Sequence, residues 1–272
     1  MARDDILDKL LRGLLAEGWA DSHTAIPEDA ASKRHLLRTL MNIRPPLPAH
    51  PELIELQDRV LSEERASIGT TNPYELPTIW EAFGAADVPG RNQLILWKGD
   101  ITTLAADVIV NAANSKLLGC FVPHHRCIDN AIHSAAGIQL RLECHEIMEK
   151  QGHDEPTGQA KITHGYNLPA RYVIHTVGPI IYDSVTERDE RLLASCYKSC
   201  LDAAAQRQEI KTVAFCCIST GEYRFPKLLA AKTATRAVCD WLAGPARRLE
   251  RIIFNVFTQE DNDAYAALFR AG

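Results

Sequence analysis

Residues 107–115 read DVIVNAANS, a short run of β-branched residues followed at once by two asparagines around two alanines. Valine and isoleucine favour an extended strand, and asparagine favours the turn that ends one. In an open α/β sheet, ligands bind beyond the carboxyl ends of the strands, which is where Asn111 and Asn114 would lie. The two amides either hydrogen-bond a sugar, with the small alanines allowing a close approach, or close the turn through local hydrogen bonds.

Five more runs rich in valine and isoleucine have the same character as this strand, and helical patterns alternate with them. The strand-like runs cover residues 93–98, 160–164, 172–177, 212–218 and 251–257, and the helical patterns cover 129–150, 190–206, 227–242 and 261–270. Alternation of this kind predicts an α/β domain whose sheet carries helices on both faces.

The first 90 residues have a purely helical pattern. Apolar residues recur at spacings of three and four between Ile6 and Leu15, and again between Leu36 and Met41. Pro45 ends the second helix, because proline lacks the N–H group and clashes with the preceding turn. A third helix is expected from residue 51 to about residue 66. We therefore expect a helical extension over residues 1–90 and the α/β domain over residues 91–272.

The overall charge is weakly acidic: 30 lysines and arginines stand against 35 aspartates and glutamates, a formal net charge of −5. Proteins that bind nucleic acid usually present a basic face, so we expect no nucleic-acid partner. No apolar run approaches the roughly 18–20 residues of a membrane span. The N-terminus lacks the apolar segment of a secretory leader, so we expect a cytoplasmic protein without a membrane partner. In that reducing compartment the eight cysteines would be buried thiols or metal ligands.

Polar residues also follow other strands of the predicted sheet. Asp100 comes soon after the first strand, where it would either accept a hydrogen bond from a base or ribose, or cap a turn. Residues 219–223 read STGEY after the fifth strand, and form either a nest of N–H donors for a diphosphate or an ordinary loop. The last strand contains Asn255 and ends in Phe257, which would stack on a sugar or base, or pack in the core.

The stretch at residues 119–130, GCFVPHHRCIDN, gathers two cysteines and two histidines just before a predicted helix. Zinc prefers thiolate and imidazole ligands, and a catalytic site uses three protein ligands and leaves the fourth position open. Cys120, His125 and Cys127 would form such a set. His125 and Cys127 are alternate residues, whose side chains can point the same way in an extended loop. The spacing does not exclude His124 as the ligand in place of His125, a closed site of all four residues, or a group of buried thiols.

Asp129 lies two residues beyond Cys127, in the first turn of the predicted helix. An acidic residue there either complements the helix dipole or lies beside the metal, where it would orient or deprotonate a water molecule. His133 lies one turn further along the same helix, and we expect it to pack rather than to act.

Four motifs follow one another in the order typical of macrodomains: GDIT at 99–102, NAAN at 111–114, IDNAIHSAAG at 128–137 and STG at 219–221. On these motifs the chain resembles the macrodomain family, which binds ADP-ribose, over residues 93–257. The resemblance implies a three-layer α/β/α fold with a mixed central sheet. It implies that Asp129 and Asn114 are catalytic. The ADP-ribose contacts that it implies are Asp100 and Ile101 at the adenine, Asn111 and Asn114 at the distal ribose, Ser219, Thr220, Gly221, Glu222 and Tyr223 at the pyrophosphate, and Asn255.

The loop before Asp129 departs from the glycine-rich loop of metal-free macrodomain hydrolases. Its cysteines and histidines resemble those of a zinc-dependent microbial subgroup, which also has a helical N-terminal extension. That resemblance implies a Zn²⁺ cofactor held by Cys120, His125 and Cys127. It also implies removal of mono-ADP-ribose from protein side chains, typically acidic ones, and a lipoyl-carrier protein modified by a sirtuin-class ADP-ribosyltransferase as partner.

Two other functions stay open at this point. One is a non-catalytic reader of ADP-ribose, and the other is a hydrolase of a small derivative such as O-acetyl-ADP-ribose. A dinucleotide-dependent dehydrogenase is disfavoured, because no Gly-x-Gly-x-x-Gly motif follows the first strand of the α/β region.

Overall fold

The computed structural model describes residues 3–21, 23–244 and 248–270. All six predicted strands are present there. They are β1 (Leu94–Lys98), β2 (Val108–Ala112), β3 (Ala160–His164), β4 (Tyr172–Thr176), β5 (Thr212–Phe215) and β6 (Arg251–Val256). Strand β5 ends earlier than predicted, so residues 216–218 belong to the loop that follows it.

The six strands form one mixed sheet in the order β1-β6-β5-β2-β4-β3. Every neighbouring pair is parallel except β3 and β4, which are antiparallel. The carboxyl ends of five strands therefore meet at one edge of the sheet. Strand β2 lies inside the sheet, and Val108, Ile109 and Val110 are completely buried, as expected for a parallel strand covered on both faces.

Helices flank the sheet, which confirms the predicted three-layer architecture. They are α5 (Ile128–Ala136), α6 (Ile138–Gln151), α7 (Glu187–Ala205), α8 (Lys227–Leu242) and α9 (Gln259–Arg270). Helices α7, α8 and α9 contact one another in series, and α5 and α6 form a separate pair. Among the described helices, none is both long and apolar enough to cross a bilayer.

The prediction of a single helix over residues 129–150 is wrong, because the chain turns at Gly137. This residue has φ +102°, a left-handed value that glycine adopts without a steric penalty. A Cβ atom there would also lie 2.6 Å from Gln57 Nε2. Glycine is thus required both for the break between α5 and α6 and for the close approach of the N-terminal helices.

The N-terminal region contains the three predicted helices and a short fourth one. Their bounds are α1 (Arg3–Ala16), α2 (Ala30–Ile43), α3 (Pro51–Ile68) and α4 (Ile79–Phe83). The first three enclose an apolar cluster of their own, to which Ile138 at the start of α6 also belongs. Ile79 of α4, by contrast, packs in the core around the sheet. Helix α2 contacts α5, so the extension meets the sheet domain next to the loop that carries the cysteines and histidines.

Candidate functional site

Residues 119–127 are here named the metal loop. Three of its four metal-type side chains converge between β2 and α5. The ligand atoms of Cys120, His125 and Cys127 all lie within 4.8 Å of one another. Cys120 Sγ lies 3.6 Å from His125 Nδ1. In a tetrahedral zinc site, bond lengths of about 2.3 Å to sulfur and about 2.0 Å to nitrogen put neighbouring ligand atoms roughly 3.5–3.8 Å apart. The donor set therefore fits zinc with small shifts.

His124 faces away from the two thiols. Its ring stacks on the ring of His35, with centroids 3.7 Å apart and an interplanar angle of 9°. Its Nε2 atom lies 2.8 Å from Thr39 Oγ1, on helix α2. Of the two consecutive histidines, the structure thus brings His125 to the cysteines and gives His124 to the N-terminal helices.

The Cys127 thiol is half-buried at the N-terminus of α5, where its Sγ accepts a hydrogen bond of 3.4 Å from Asn130 N. Burial, together with the nearby Cys120 and Asp129, raises its pKa to about 12. The thiolate form therefore needs a compensating positive charge, which a divalent cation between the cysteines would provide.

Glu222 joins the loop after β5 to the metal loop. Its Oε1 atom lies 3.5 Å from His125 Nε2, while the other ring nitrogen of His125 faces Cys120. A carboxylate on the far nitrogen of a histidine is the arrangement that orients many metal-ligating imidazoles. The side chain of Glu222 is thus directed to His125.

Asp129 is buried in the first turn of α5, and its two oxygens are held by one amide inside β2 and one just beyond it. Oδ1 accepts a hydrogen bond of 2.8 Å from Asn111 Nδ2, and Oδ2 accepts one of 3.3 Å from Asn114 Nδ2. Burial raises the pKa of Asp129 to about 6. Asn114 Nδ2 also lies 3.1 Å from the carbonyl oxygen of Gly119, and so links the carboxylate to the start of the metal loop.

Asn111 is completely buried and belongs to a hydrogen-bonded chain behind the carboxylate. Its Nδ2 lies 3.1 Å from His175 Nδ1, and His175 Nε2 lies 3.0 Å from Thr163 Oγ1. Burial lowers the pKa of His175 to about 3, so the ring is neutral. It therefore accepts from Asn111 and donates to Thr163. In this structure Asn111 acts on Asp129, whereas Asn114 retains exposed surface.

Sequence analysis missed His175, although a histidine inside the apolar strand at 172–177 was a usable signal. His133, Cys144 and His175 form a second group of metal-type atoms within 4.8 Å of one another. Both ring nitrogens of His175 are already engaged, which leaves it no lone pair for a metal. His133 is buried, as expected, and a Cβ at Gly119 would lie 2.8 Å from its Cγ, but its Nε2 also lies 3.5 Å from Asp129 Oδ1.

Four residues considered for nucleotide binding lie at the far end of the same sheet edge. Asp100 is exposed and caps the short 3₁₀ turn Ile101–Thr103, its Oδ1 accepting from Thr102 N at 2.9 Å. Ile101 itself is buried. Asn255 Nδ2 donates to the carbonyl oxygen of Gly99 at 2.9 Å, which fixes the turn that presents Asp100. Phe257 is 77% exposed, so it lies at the surface rather than in the core.

The loop after β5 contains a residue in the left-handed conformation, a feature that anion-binding nests and ordinary turns share. Ser219 has φ +66°, and its buried Oγ has no hydrogen-bond partner among the described residues. Tyr223 O accepts from Ile181 N at 2.9 Å, so this loop is tied to the one after β4. Gly178 lies so close that a Cβ there would clash with Ser219 Oγ. The sequence of this second loop carries no polar signature from which its role could be predicted.

A family model, curated relatives and a solved structure all point to the same family. The Macro domain family matches residues 110–234. A "Protein-ADP-ribose hydrolase" from Treponema medium is 46% identical over 259 residues, which cover 95% of this chain and 96% of the relative. A "Probable bifunctional ADP-ribose hydrolase/ADP-ribosyltransferase" from Fusarium oxysporum is 42% identical and covers 88% of this chain, which spans 41% of that protein. The crystal structure of a Trypanosoma brucei macrodomain in complex with ADP-ribose is similar over 85% of this chain and 94% of its own, with a TM-score of 0.64 and 29% identity.

Proposed function

The chain belongs to the macrodomain family, and we propose from this premise that it is a zinc-dependent protein-ADP-ribose hydrolase that removes mono-ADP-ribose from acidic side chains. One observation carries the proposal: two cysteines and a histidine converge immediately before a buried aspartate held by Asn111 and Asn114. A reader of ADP-ribose needs neither a metal with an open coordination position nor a carboxylate of raised pKa beside it.

The protein's own residues supply binding and proton transfer. Backbone N–H groups of residues 219–223 surround the diphosphate, which needs no basic side chain at such a nest. Asp100 and Ile101 meet the adenine, and Asn114 meets the distal ribose. Asn111 holds the Asp129 carboxylate in position from behind. Asp129 orients a water molecule at the anomeric carbon and takes its proton, a task suited to a carboxylate whose pKa burial has raised to about 6.

Cys120, His125 and Cys127 would hold the zinc ion. When bound, zinc supplies Lewis-acid chemistry, which polarises an oxygen of the substrate or lowers the pKa of a water molecule. Glu222 would orient His125 from the side of the nucleotide loop. The residues that would hold the zinc ion lie beside the Asp129 carboxylate, because Asn114 bonds both to Asp129 and to the start of the metal loop.

The natural partner would be a mono-ADP-ribosylated protein together with the transferase that modifies it. The relative from Fusarium supports this pairing, because its name assigns hydrolase and ADP-ribosyltransferase activities to one longer chain. By the family resemblance, we expect a lipoyl-carrier protein modified by a sirtuin-class transferase.

The test is release of free ADP-ribose from a protein that is mono-ADP-ribosylated on glutamate. Wild type, Cys120→Ala and Cys239→Ala are assayed with and without chelator, and zinc is quantified in each preparation. Cys239 is a matched control, because its Sγ donates to Pro89 O, well separated in sequence from the metal loop. We expect Cys120→Ala and chelated wild type to lose both zinc and activity, and Cys239→Ala to keep both.

Two results would contradict the proposal. Full activity of Cys120→Ala without bound metal would remove zinc from the reaction. Tight binding of ADP-ribose without any release from the modified protein would indicate a reader. O-acetyl-ADP-ribose is assayed in parallel, and a preference for it over the modified protein would assign the small-molecule substrate instead.

A further inference from the structure

The metal loop is held from the outside by helix α2 of the N-terminal extension. Asn42 Oδ1 accepts a hydrogen bond of 3.0 Å from the backbone N–H of His124. Thr39 Oγ1 lies 2.8 Å from His124 Nε2, and the ring of His35 stacks on that of His124. Three residues on successive turns of one helix therefore converge on a single loop residue, which is the immediate neighbour of a proposed zinc ligand.

The backbone of His124 explains why such a clamp is needed. Its φ of +56° lies in the left-handed region, which a residue with a side chain adopts only at a cost in free energy. This conformation turns the two consecutive histidines to opposite sides, so that His125 reaches Cys120 while His124 reaches α2. If His124 relaxed to an ordinary φ, the imidazole of His125 would swing away from the thiols.

The same helix also fixes α5, which carries Asp129. Arg38 donates to Asn130 Oδ1 at 3.0 Å, and Asn130 Nδ2 in turn donates to Val122 O of the metal loop at 3.0 Å. Asn42 Nδ2 donates to Ser134 Oγ at 2.9 Å. Helix α2, which lies outside the sheet domain, thus fixes the position of the metal loop relative to α5.

We propose that Thr39 and Asn42 are positioning residues that hold the metal loop in its zinc-binding conformation before the metal arrives, so that the N-terminal extension is part of the active site. The inference rests on the proposed zinc site, because its expected consequence is that the metal loop binds zinc with higher affinity. The ordering of the loop itself requires no metal and can be measured without one.

The first experiment measures amide hydrogen exchange on chelator-treated protein. In Asn42→Ala the His124 amide loses its acceptor and should exchange about fivefold faster, the factor for one net hydrogen bond. Thr39→Val, which keeps the size of a half-buried side chain, should accelerate exchange across residues 119–127. Thr39→Ser retains the hydroxyl and should restore the wild-type rate. The control Arg65→Met breaks another contact of the extension, the 2.6 Å bond to Asn167 O, and should leave the metal loop unchanged.

The second experiment measures zinc affinity by competition with a chromogenic chelator. Thr39→Val should bind zinc about fivefold more weakly than wild type, and Asn42→Ala at least as weakly, while Thr39→Ser and Arg65→Met match wild type. Cobalt(II) provides a spectroscopic check, because its thiolate charge-transfer band reports directly whether both cysteines bind. A loosened loop should weaken this band in Thr39→Val at equal cobalt concentration.

The outcomes separate this inference from the proposed function. If Thr39→Val is folded and neither its loop exchange nor its metal affinity differs from wild type, the positioning role is refuted. If wild type fails to bind zinc but the variants accelerate exchange of the loop, the proposed function fails and the role of α2 in ordering the loop is supported. Equal loss of zinc affinity in Arg65→Met would also refute the inference, since it would indicate a general loss of stability.

Discussion

The buried His175 makes a quantitative prediction about acid stability. Its pKa is lowered from 6.5 to about 3 by burial. The unfolded chain therefore binds a proton at this residue between these two values, whereas the folded protein does not. Above pH 6.5 the neutral ring makes its full contribution to the free energy of unfolding, and this contribution is lost as the pH falls below 6.5. Since one pKa unit corresponds to about 1.4 kcal/mol, the loss between pH 7 and pH 4 is about 3 kcal/mol.

The variant His175→Gln isolates this contribution. A glutamine amide can accept from Asn111 Nδ2 with its oxygen and donate to Thr163 Oγ1 with its nitrogen, as the neutral imidazole does. It has no charge to gain in acid. Asp129, whose pKa is raised by burial, has the opposite pH dependence, but it is present in both proteins and cancels in the comparison.

The assay is urea unfolding of metal-stripped protein at pH 7, 5.5 and 4. We expect wild type to be the more stable protein at pH 7, and its advantage over His175→Gln to shrink by about 3 kcal/mol at pH 4. The control His153→Gln makes the same exchange at an exposed histidine and is measured in the same assay. An advantage of wild type over His175→Gln that is the same at pH 7 and pH 4 would refute the argument, because it would mean that the ring is protonated in the folded state.

Three further predictions concern the site and its supports. Asp129→Asn should lose roughly 10²–10⁴-fold in turnover, the usual worth of a general base, while calorimetry should find ADP-ribose binding retained; unchanged turnover would remove this residue from the reaction. Glu222→Gln should weaken zinc binding by less than tenfold in the chelator competition, the low end of the range for such partners, because the side chain of Glu222 is 71% exposed. Gly137→Ala should lower the free energy of unfolding by more than 1 kcal/mol in urea titrations, since a Cβ there combines a left-handed φ with a 2.6 Å contact to Gln57; an alanine variant as stable as wild type would contradict the account of the helix break.

The parts of this fold that sequence analysis predicted are those with a local cause. β-branched runs place the strands, and parallel strands bring their carboxyl ends to one edge, so the residues after β1, β2 and β5 could be expected to meet. The metal loop was visible because its ligands lie within eight residues of one another. The break at Gly137 was missed because apolar spacing continues across it from α5 into α6, and part of what disfavours a side chain there is the distant Gln57.

The contacts that were missed join residues far apart in the chain. His175 lies 64 positions from Asn111, and Thr39 lies 85 positions from His124. No spacing rule connects such pairs, since each depends on how two separate elements pack. The choice between His124 and His125 is the clearest case. The metal loop alone leaves both histidines available, and helix α2 decides between them by occupying one.

The selection of His125 over His124 bears on how a zinc site can form within this fold. A short loop of cysteines and histidines has several nearly equivalent ways to arrange its ligands, and conformational entropy disfavours any single one. Packing a helix against one histidine removes the competing arrangement without adding a ligand. The extension then stabilises the metal site by excluding alternatives, much as a buried polar contact fixes register in other proteins. On this argument, a chain with the metal loop but without α2 should bind zinc more weakly and with a mixture of ligand sets.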